Sequence, residues 1–458
     1  MRLKTLLLSF TLLCSGLLSG QAHFWPFGQG LGLDFNQNPP QLRSVPWQRT
    51  STPQFQNDLN QCSVFEDDSG RVLVYFLNGK YMDANDNVIF SVPNYHRAPE
   101  LILTDFGNMV GSKQSSFFRF NDTLYHTYTS GMPFIANLPI YGRTNNLKIY
   151  LRSFVNINGT WSVNLVDSFP RINNSVDFQN VFSIVDHHPD SAKYVLFSGV
   201  EKGRINIPGE FEAASKKILT ITPSGFIEAP LSLSTSTLYF LYQCSAYSNL
   251  TKSIYSHHDN YPGINYVNRY EPVFLSGSNL STVVSKDSML ICSPNDTILT
   301  FTSPRVCRIG PNERYLFISM MVKNGQPDFI HRLIRFDLLS TNQIEWNATA
   351  VDLGVPSSLY INDMQFGPDG HLYFLSSDDF DRVTPRADCN KIGRIINPTS
   401  LDTSQISCQE NFLTTQNWQA YAMFPDLTSR QRQQNTFEML YACQDSVQFR
   451  LDFGRGVD

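Results

Sequence analysis

Three groups of residues in this 458-residue chain have types and spacings that suit chemistry. The first is Asn362-Asp363, set in an apolar run ahead of Gly367-Pro368-Asp369-Gly370. Amide and carboxylate oxygens are the hard donors calcium takes. A calcium ion held there, with carboxylates from elsewhere in the chain, would polarise an ester or lactone carbonyl. The plain structural alternative is that Asp363 caps a turn and Asn362 is an ordinary strand-end residue. The second group is Asp378, Asp379 and Asp381. It lacks the glycine and distal glutamate of an EF-hand loop, which favours a solvated acidic loop over a calcium site. The third comprises two histidine pairs, Asp186-His187-His188-Pro189-Asp190 and His257-His258-Asp259. Imidazole beside carboxylate suits a general base or a transition metal. Neighbouring residues on a strand point to opposite faces, so such a pair converges on one ion only in a loop. Pro189 and the polar surroundings predict loops for both pairs, and exposed loop histidines are the simpler reading.

Other reaction classes leave no trace. There is no Gly-x-Ser-x-Gly, P-loop, His-Glu-x-x-His or dinucleotide fingerprint. A glycosidase would aim two or three carboxylates at one point. Asp105, Asp186, Glu271 and Asp363 are candidates, but spacing does not select among 40 acidic residues.

The elements that must position these residues are strands. Tyr360 to Phe366, the Gly367–Gly370 turn and Leu372 to Leu375 read as a hairpin. Val72 to Leu77 ends in Asn78-Gly79, and Tyr315 to Val322 ends in Asn324-Gly325. Similar short runs recur throughout, including Lys217 to Pro230 (KILTITPSGFIEAP), and no amphipathic helix exceeds two turns. Aromatics at 13%, with abundant turn formers, point the same way. We therefore expect an all-β chain. Because no linker splits it, a single β-propeller of six blades, alternatively seven, accommodates the length better than tandem sandwiches. Residues 1–22 are expected to be a signal peptide, 23–55 an extended N-terminal arm and 56–458 the propeller domain. Within the arm, Trp25, Phe27 and Trp47 are the residues available to pack against the body.

Residues 1–22 carry Arg2 and Lys4, an apolar core from Leu6 to Leu18, and small residues up to Ala22. That is the pattern of a secretory leader, too short to span a bilayer comfortably. No later stretch is long and apolar enough for a membrane span, and the expectation is secretion. Seven sequons, at Asn121, Asn158, Asn173, Asn249, Asn279, Asn295 and Asn347, fit a secreted glycoprotein. The formal charge of -5 and the lack of a basic run argue against nucleic-acid partners. With Cys14 in the leader, seven cysteines remain, none in a zinc spacing. Spacing suggests Cys292–Cys307 and Cys389–Cys408 as local disulfides. Cys62 and Cys443, in the first and last strand regions, would close the seam, leaving Cys244 as a buried free thiol.

Asn362-Asp363-Met364, then Gly367-Pro368 and Leu372-Tyr373-Phe374, resembles the calcium-site blade of the paraoxonase, gluconolactonase and strictosidine-synthase-like six-bladed propellers. The secreted yellow/royal-jelly propellers are a more distant comparison. The resemblance covers about 20 residues and implies a calcium held by Asn362 and Asp363 at a central tunnel, with lactonase- or esterase-type hydrolysis. The poverty of other motifs favours a different reading: an extracellular binding or matrix propeller, without a certain cofactor, whose partner is a protein or a small molecule.

Overall fold

A computed structural model describes residues 24–27, 30–46, 62–67, 71–77, 79–93, 95, 115–120, 123–130, 148–157, 160–170, 172–173, 176–185, 194–201, 216–230, 245–248, 250–258, 266–274, 280–290, 302–323, 329–377, 391–414, 424, 426–427, 436–442 and 447–452. Most of these residues lie in antiparallel sheets, and helices are few. An N-terminal sheet holds β1 (Phe24–Phe27), β2 (Leu31–Asp34) and β3 (Gln41–Ser44). Up-and-down meanders follow in chain order. The first contains β4 (Cys62–Glu66), β5 (Val72–Leu77), β6 (Lys80–Met82) and β7 (Val88–Ser91). The second contains β8 (Ser115–Phe120), β9 (Thr123–Ser130), β10 (Lys148–Ile157) and β11 (Thr160–Pro170). The third runs β12 (Ile172–Asn173), β13 (Val176–Val185), β14 (Tyr194–Glu201), β15 (Lys216–Thr222) and β16 (Gly225–Pro230). The fourth runs β17 (Ser245–Ser248), β18 (Ser253–His258), β19 (Tyr266–Phe274) and β20 (Leu280–Leu290). The fifth runs β21 (Thr302–Ile309), β22 (Tyr315–Lys323), β23 (Phe329–Asp337) and β24 (Val351–Asp352), with the helix α1 (Gln343–Thr349) before β24. The sixth runs β25 (Tyr360–Phe366), β26 (Leu372–Ser377), β27 (Lys391–Ile396) and β28 (Ser407–Thr414). A short strand, β29 (Asp426–Leu427), then returns to the first meander and pairs parallel to β4 at Ser63 and Val64. The last hairpin is β30 (Thr436–Ala442) with β31 (Val447–Asp452).

Strands of neighbouring meanders lie side by side: β4 against β8, β13 against β17, β17 against β21, and β21 against β25. The β25–β26 hairpin forms as its sequence predicts. Gly367 N donates to His371 O at 2.8 Å, and Gly370 takes φ 79°, a conformation open mainly to glycine. Gly393 on β27 has a different cause: the Phe374 ring occupies the space its Cβ would fill.

Two expectations need correction. The N-terminal segment is not an extended arm, because residues 24–44 pair as a three-stranded sheet. What binds that sheet to the body is aromatic: Trp25 is fully buried, 4.5 Å from Phe35, 5.1 Å from Phe424 and 5.8 Å from Tyr373 by ring centroids. The second correction concerns His257 and His258, which are not in a loop. They end β18, opposite Val267 and Tyr266 on β19. His187 and His188 lie outside the described residues, as do Asp186, Asp190 and Asp259.

Candidate functional site

The densest group of titratable side chains lies where the first meander meets the second. His126 sits on β9 (TLYHTYTS), a strand buried on both faces, since Leu124, Tyr125, His126, Thr127 and Tyr128 are all buried. Its Nε2 is 2.8 Å from Ser63 Oγ on β4, and its Nδ1 is 2.9 Å from Tyr81 OH on β6. A neutral imidazole donates through one nitrogen and accepts through the other, so one hydroxyl accepts from the ring while the other donates to it. All three side chains are sealed from solvent, and Phe117 and Phe76 lie 4.2 and 4.7 Å from the imidazole by centroids. Burial holds the His126 pKa well below its ordinary value, and the nearby Arg152 charge adds to the effect. Burial likewise pushes the Tyr81 and Tyr128 phenols up. A serine and histidine at this distance have the geometry of a nucleophile and its base. With no exposed surface on either, the arrangement works as a neutral polar bolt between two sheets.

Arg152, on β10, lies beside the bolt. Its Nε donates to Tyr128 OH at 2.9 Å, and its guanidinium carbon stands 5.0 Å from the Phe90 ring centroid and 5.8 Å from that of Tyr128. Only 8% of the residue is exposed. The ion pairs among the described residues are Arg43–Asp86, Arg71–Asp67, Arg308–Asp363, Arg314–Asp337 and Arg332–Asp352, so Arg152 has no carboxylate among them.

The residue expected to bind calcium is placed differently. Asp363 is buried on β25, at 1% exposure. Its Oδ1 accepts from Arg308 Nη2 on β21 and from Met364 N, both at 2.8 Å. Its Oδ2 accepts from Phe424 N, also at 2.8 Å. Arg308 is anchored in turn by the carbonyls of Met364 and Cys307, at 2.9 and 2.7 Å. A donor set of one guanidinium and two backbone N–H groups does not fit calcium at Asp363, because every one of these partners is a donor and the cation's role is filled by arginine. The carboxylate clasps the sixth meander to the fifth and to the segment entering β29. Asn362 is on the same strand, Glu271 is on β19, and Asp105, Asp378, Asp379 and Asp381 lie outside the described residues. Among the described residues no cluster of three or more histidine, cysteine or acidic side chains is arranged to hold a metal.

Each expected disulfide has one member outside the described residues: Cys443, Cys292 and Cys389, with Cys244 also outside. Cys307 and Cys408 stand as thiols, and burial together with Glu410 pushes the Cys408 thiol up to about 11. Of the sequons, Asn173 is on β12 and Asn347 on α1, where Asn347 Oδ1 accepts from Gln343 Nε2 at 2.7 Å. Asn121, Asn158, Asn249, Asn279 and Asn295 fall outside the described residues. No helix among the described residues is long and apolar enough to cross a membrane.

No protein-family pattern matches this chain, and no curated protein matches it. Solved structures resemble it. A periplasmic gluconolactonase of Pseudomonas aeruginosa aligns at TM-score 0.37 and 12% identity, over 77% of this chain and 82% of that one. The soluble aldose sugar dehydrogenase of Escherichia coli gives 0.33 and 11%, over 71% and 94%. An alpha-L-arabinofuranosidase from Lactobacillus brevis gives 0.31 and 11%, over 66% and 92%. Gluconolactonase-like, sugar dehydrogenase and glycosidase structures are thus what the chain is similar to, and likenesses this loose carry no activity across.

Sequence reasoning missed Ser63, Tyr81, His126 and Arg152. The available signal was weak: a histidine within TLYHTYTS and an arginine within KIYLRSFV, each among other polar residues. Their meeting depends on contacts between residues up to 63 positions apart.

Proposed function

We propose that this chain is a secreted, glycosylated six-bladed β-propeller that works by binding an extracellular partner, and that it is not a calcium-dependent hydrolase. Six successive meanders with adjoining strands support the blade number. The parallel return of β29 to β4 supports closure of the ring between the last blade and the first. The leader-like residues 1–22 and the seven sequons support secretion and glycosylation. The observation that carries the functional reading is the occupation of Asp363. The carboxylate that the family resemblance assigns to calcium accepts instead from Arg308, Met364 and Phe424. The calcium-lactonase alternative thereby loses the one acidic ligand it named.

The test uses protein secreted from eukaryotic cells with its own leader. Enzymatic removal of N-glycans should lower its apparent mass, and chelation should leave its melting temperature and its inertness toward lactones unchanged. Chelator-sensitive hydrolysis of a lactone or aryl ester would overturn the reading, as would retention of an unglycosylated chain inside the cell.

A further inference from the structure

The N-terminal sheet straddles the junction between the sixth meander and the first. Toward the first meander, Phe24 stands 6.0 Å from Tyr75 on β5 by ring centroids. Arg43 on β3 pairs with Asp86 in the β6–β7 turn at 2.7 Å, and Tyr75 OH donates to the other oxygen of that carboxylate at 2.6 Å. Toward the sixth meander, Trp25 and Phe35 both pack on Tyr373 of β26, at 5.8 and 5.2 Å. Phe35 also presses on Gly367, where an added Cβ would lie 2.9 Å from its ring. Trp25 reaches Phe424, in the segment entering β29, at 5.1 Å.

One apolar cluster thereby joins Leu33 of the N-terminal sheet to Val64 and Leu77 of the first meander and to Leu375 and Ile392 of the sixth. Across the same junction β29 pairs with β4 over two residues, and Asp363 accepts from Phe424 N. A ladder that short is marginal by itself. The chain already ties β3 to β4, so the sheet is attached to the first meander, and its docking on Tyr373 and Phe424 is the step that spans the junction. Trp25 is fully buried, and its Nε1 has no hydrogen-bond partner among the described residues. Ring packing is what fixes it there.

We propose that residues 24–44 form a strap that closes the ring between the sixth and first meanders, and that release of this strap is how the ring opens. This rests on the reading of the chain as a closed ring of six blades. When the strap leaves, Tyr75, Tyr373 and Phe424 lose their aromatic cover together, and the short β29–β4 ladder and the Asp363 clasp are left to hold the junction. Strap and junction therefore form one unit of local unfolding. The fifth meander lies outside that unit, because Phe336 and Trp346 belong to a separate core cluster.

The experiment is native-state hydrogen exchange on the secreted full-length protein, read by mass spectrometry in peptides that carry β4, β29 and, as a distant reference, β22 and β23. Trp25→Ala should raise exchange in the β4 and β29 peptides by roughly a hundredfold, while the β22 and β23 peptides keep their wild-type rates. Trp25→Phe loses no hydrogen bond and keeps a ring at the junction, so it should restore most of the protection. Arg43→Ala removes a partly exposed ion pair on the other side of the strap and should raise exchange in the same peptides by roughly two- to fivefold. Phe336→Ala, a cut of similar size in the fifth meander, should leave the β4 and β29 peptides protected. An equal rise in all peptides with Trp25→Ala, or opening of the junction by Phe336→Ala, would reduce the strap to one more piece of core and overturn the proposal. If Trp25→Ala is not secreted, Arg43→Ala decides: a rise confined to β4 and β29 supports the strap, and its absence overturns it. Free exchange of β4 and β29 in the wild type would sink the closed ring and the strap together, whereas wild-type protection that survives Trp25→Ala sinks the strap alone.

Discussion

Two buried junctions in this protein handle charge in opposite ways. At the seam between the sixth meander and the returning C-terminal segment, Asp363 and Arg308 are ionised partners, and every oxygen of the carboxylate is used. At the junction of the first and second meanders, His126 is kept neutral between two hydroxyls, and Arg152 is left with a phenol. The difference is one of charge. A closed ion pair with backbone donors holds chain segments together through ionised groups. A neutral hydrogen-bonded wall holds its sheets together with no charge on the imidazole.

The largest expected effect comes from breaking the closed junction. Asp363→Ala leaves the Arg308 guanidinium and the Phe424 N–H without their acceptor, at a cost of about 3–5 kcal/mol. Denaturant melts should show it, with the loss equal in calcium and in chelator. A loss seen only in calcium would reverse the assignment of Asp363 as a clasp.

At the neutral junction, Tyr81→Phe removes one partner of the imidazole and leaves Nδ1 buried and unpaired. The expected cost is about 1–3 kcal/mol. A loss as large as that of Asp363→Ala would mean that the two junctions fasten the fold equally.

The pH dependence sharpens the contrast. Burial, assisted by Arg152, depresses the folded-state pKa of His126, so the unfolded chain takes up this proton first as pH falls. The stability that His126 contributes is therefore complete above about pH 6.5 and is lost on acidification below it, by up to ~1.4 kcal/mol per pH unit. The groups facing the imidazole are Ser63, Tyr81, Tyr128 and Arg152. His126→Gln should flatten stability against pH between about 6.5 and 5, measured as the difference from wild type by urea melts. An unchanged slope would show that His126 is protonated in the folded state.

The smallest effect belongs to an exposed pair. Arg71 and Asp67 are 3.1 Å apart, with the arginine side chain 73% exposed. Arg71→Ala should change stability by less than about 0.5 kcal/mol. A larger loss would mean that the contrast between the two buried junctions owes little to burial.

The all-β character and most strand positions were legible in the chain itself. Val72 to Leu77, Tyr315 to Val322 and the Tyr360–Leu375 hairpin fall within a residue or two of the observed strands. Those signals are local: short runs of β-branched and aromatic residues, and turns such as the Gly367–Gly370 loop. Where local signals were mixed, the reading failed. His257-His258 looked like a loop because of polar neighbours, yet pairing with β19 makes it strand, since a partner strand supplies the hydrogen bonds that local composition does not.

The site was less legible for the same physical reason. Asp363 was singled out by its motif, as an acidic residue set in an apolar run ahead of the Gly367-Pro368 turn. Whether that carboxylate meets a cation from solvent or a guanidinium from another strand depends on Arg308, 55 positions away, and on Phe424, 61 positions away. A chain's own residues determine what can be donated and accepted, and at what local spacing. Only the packed sheets decided which donor reached which acceptor: Arg308 met a carboxylate and Arg152 a phenol.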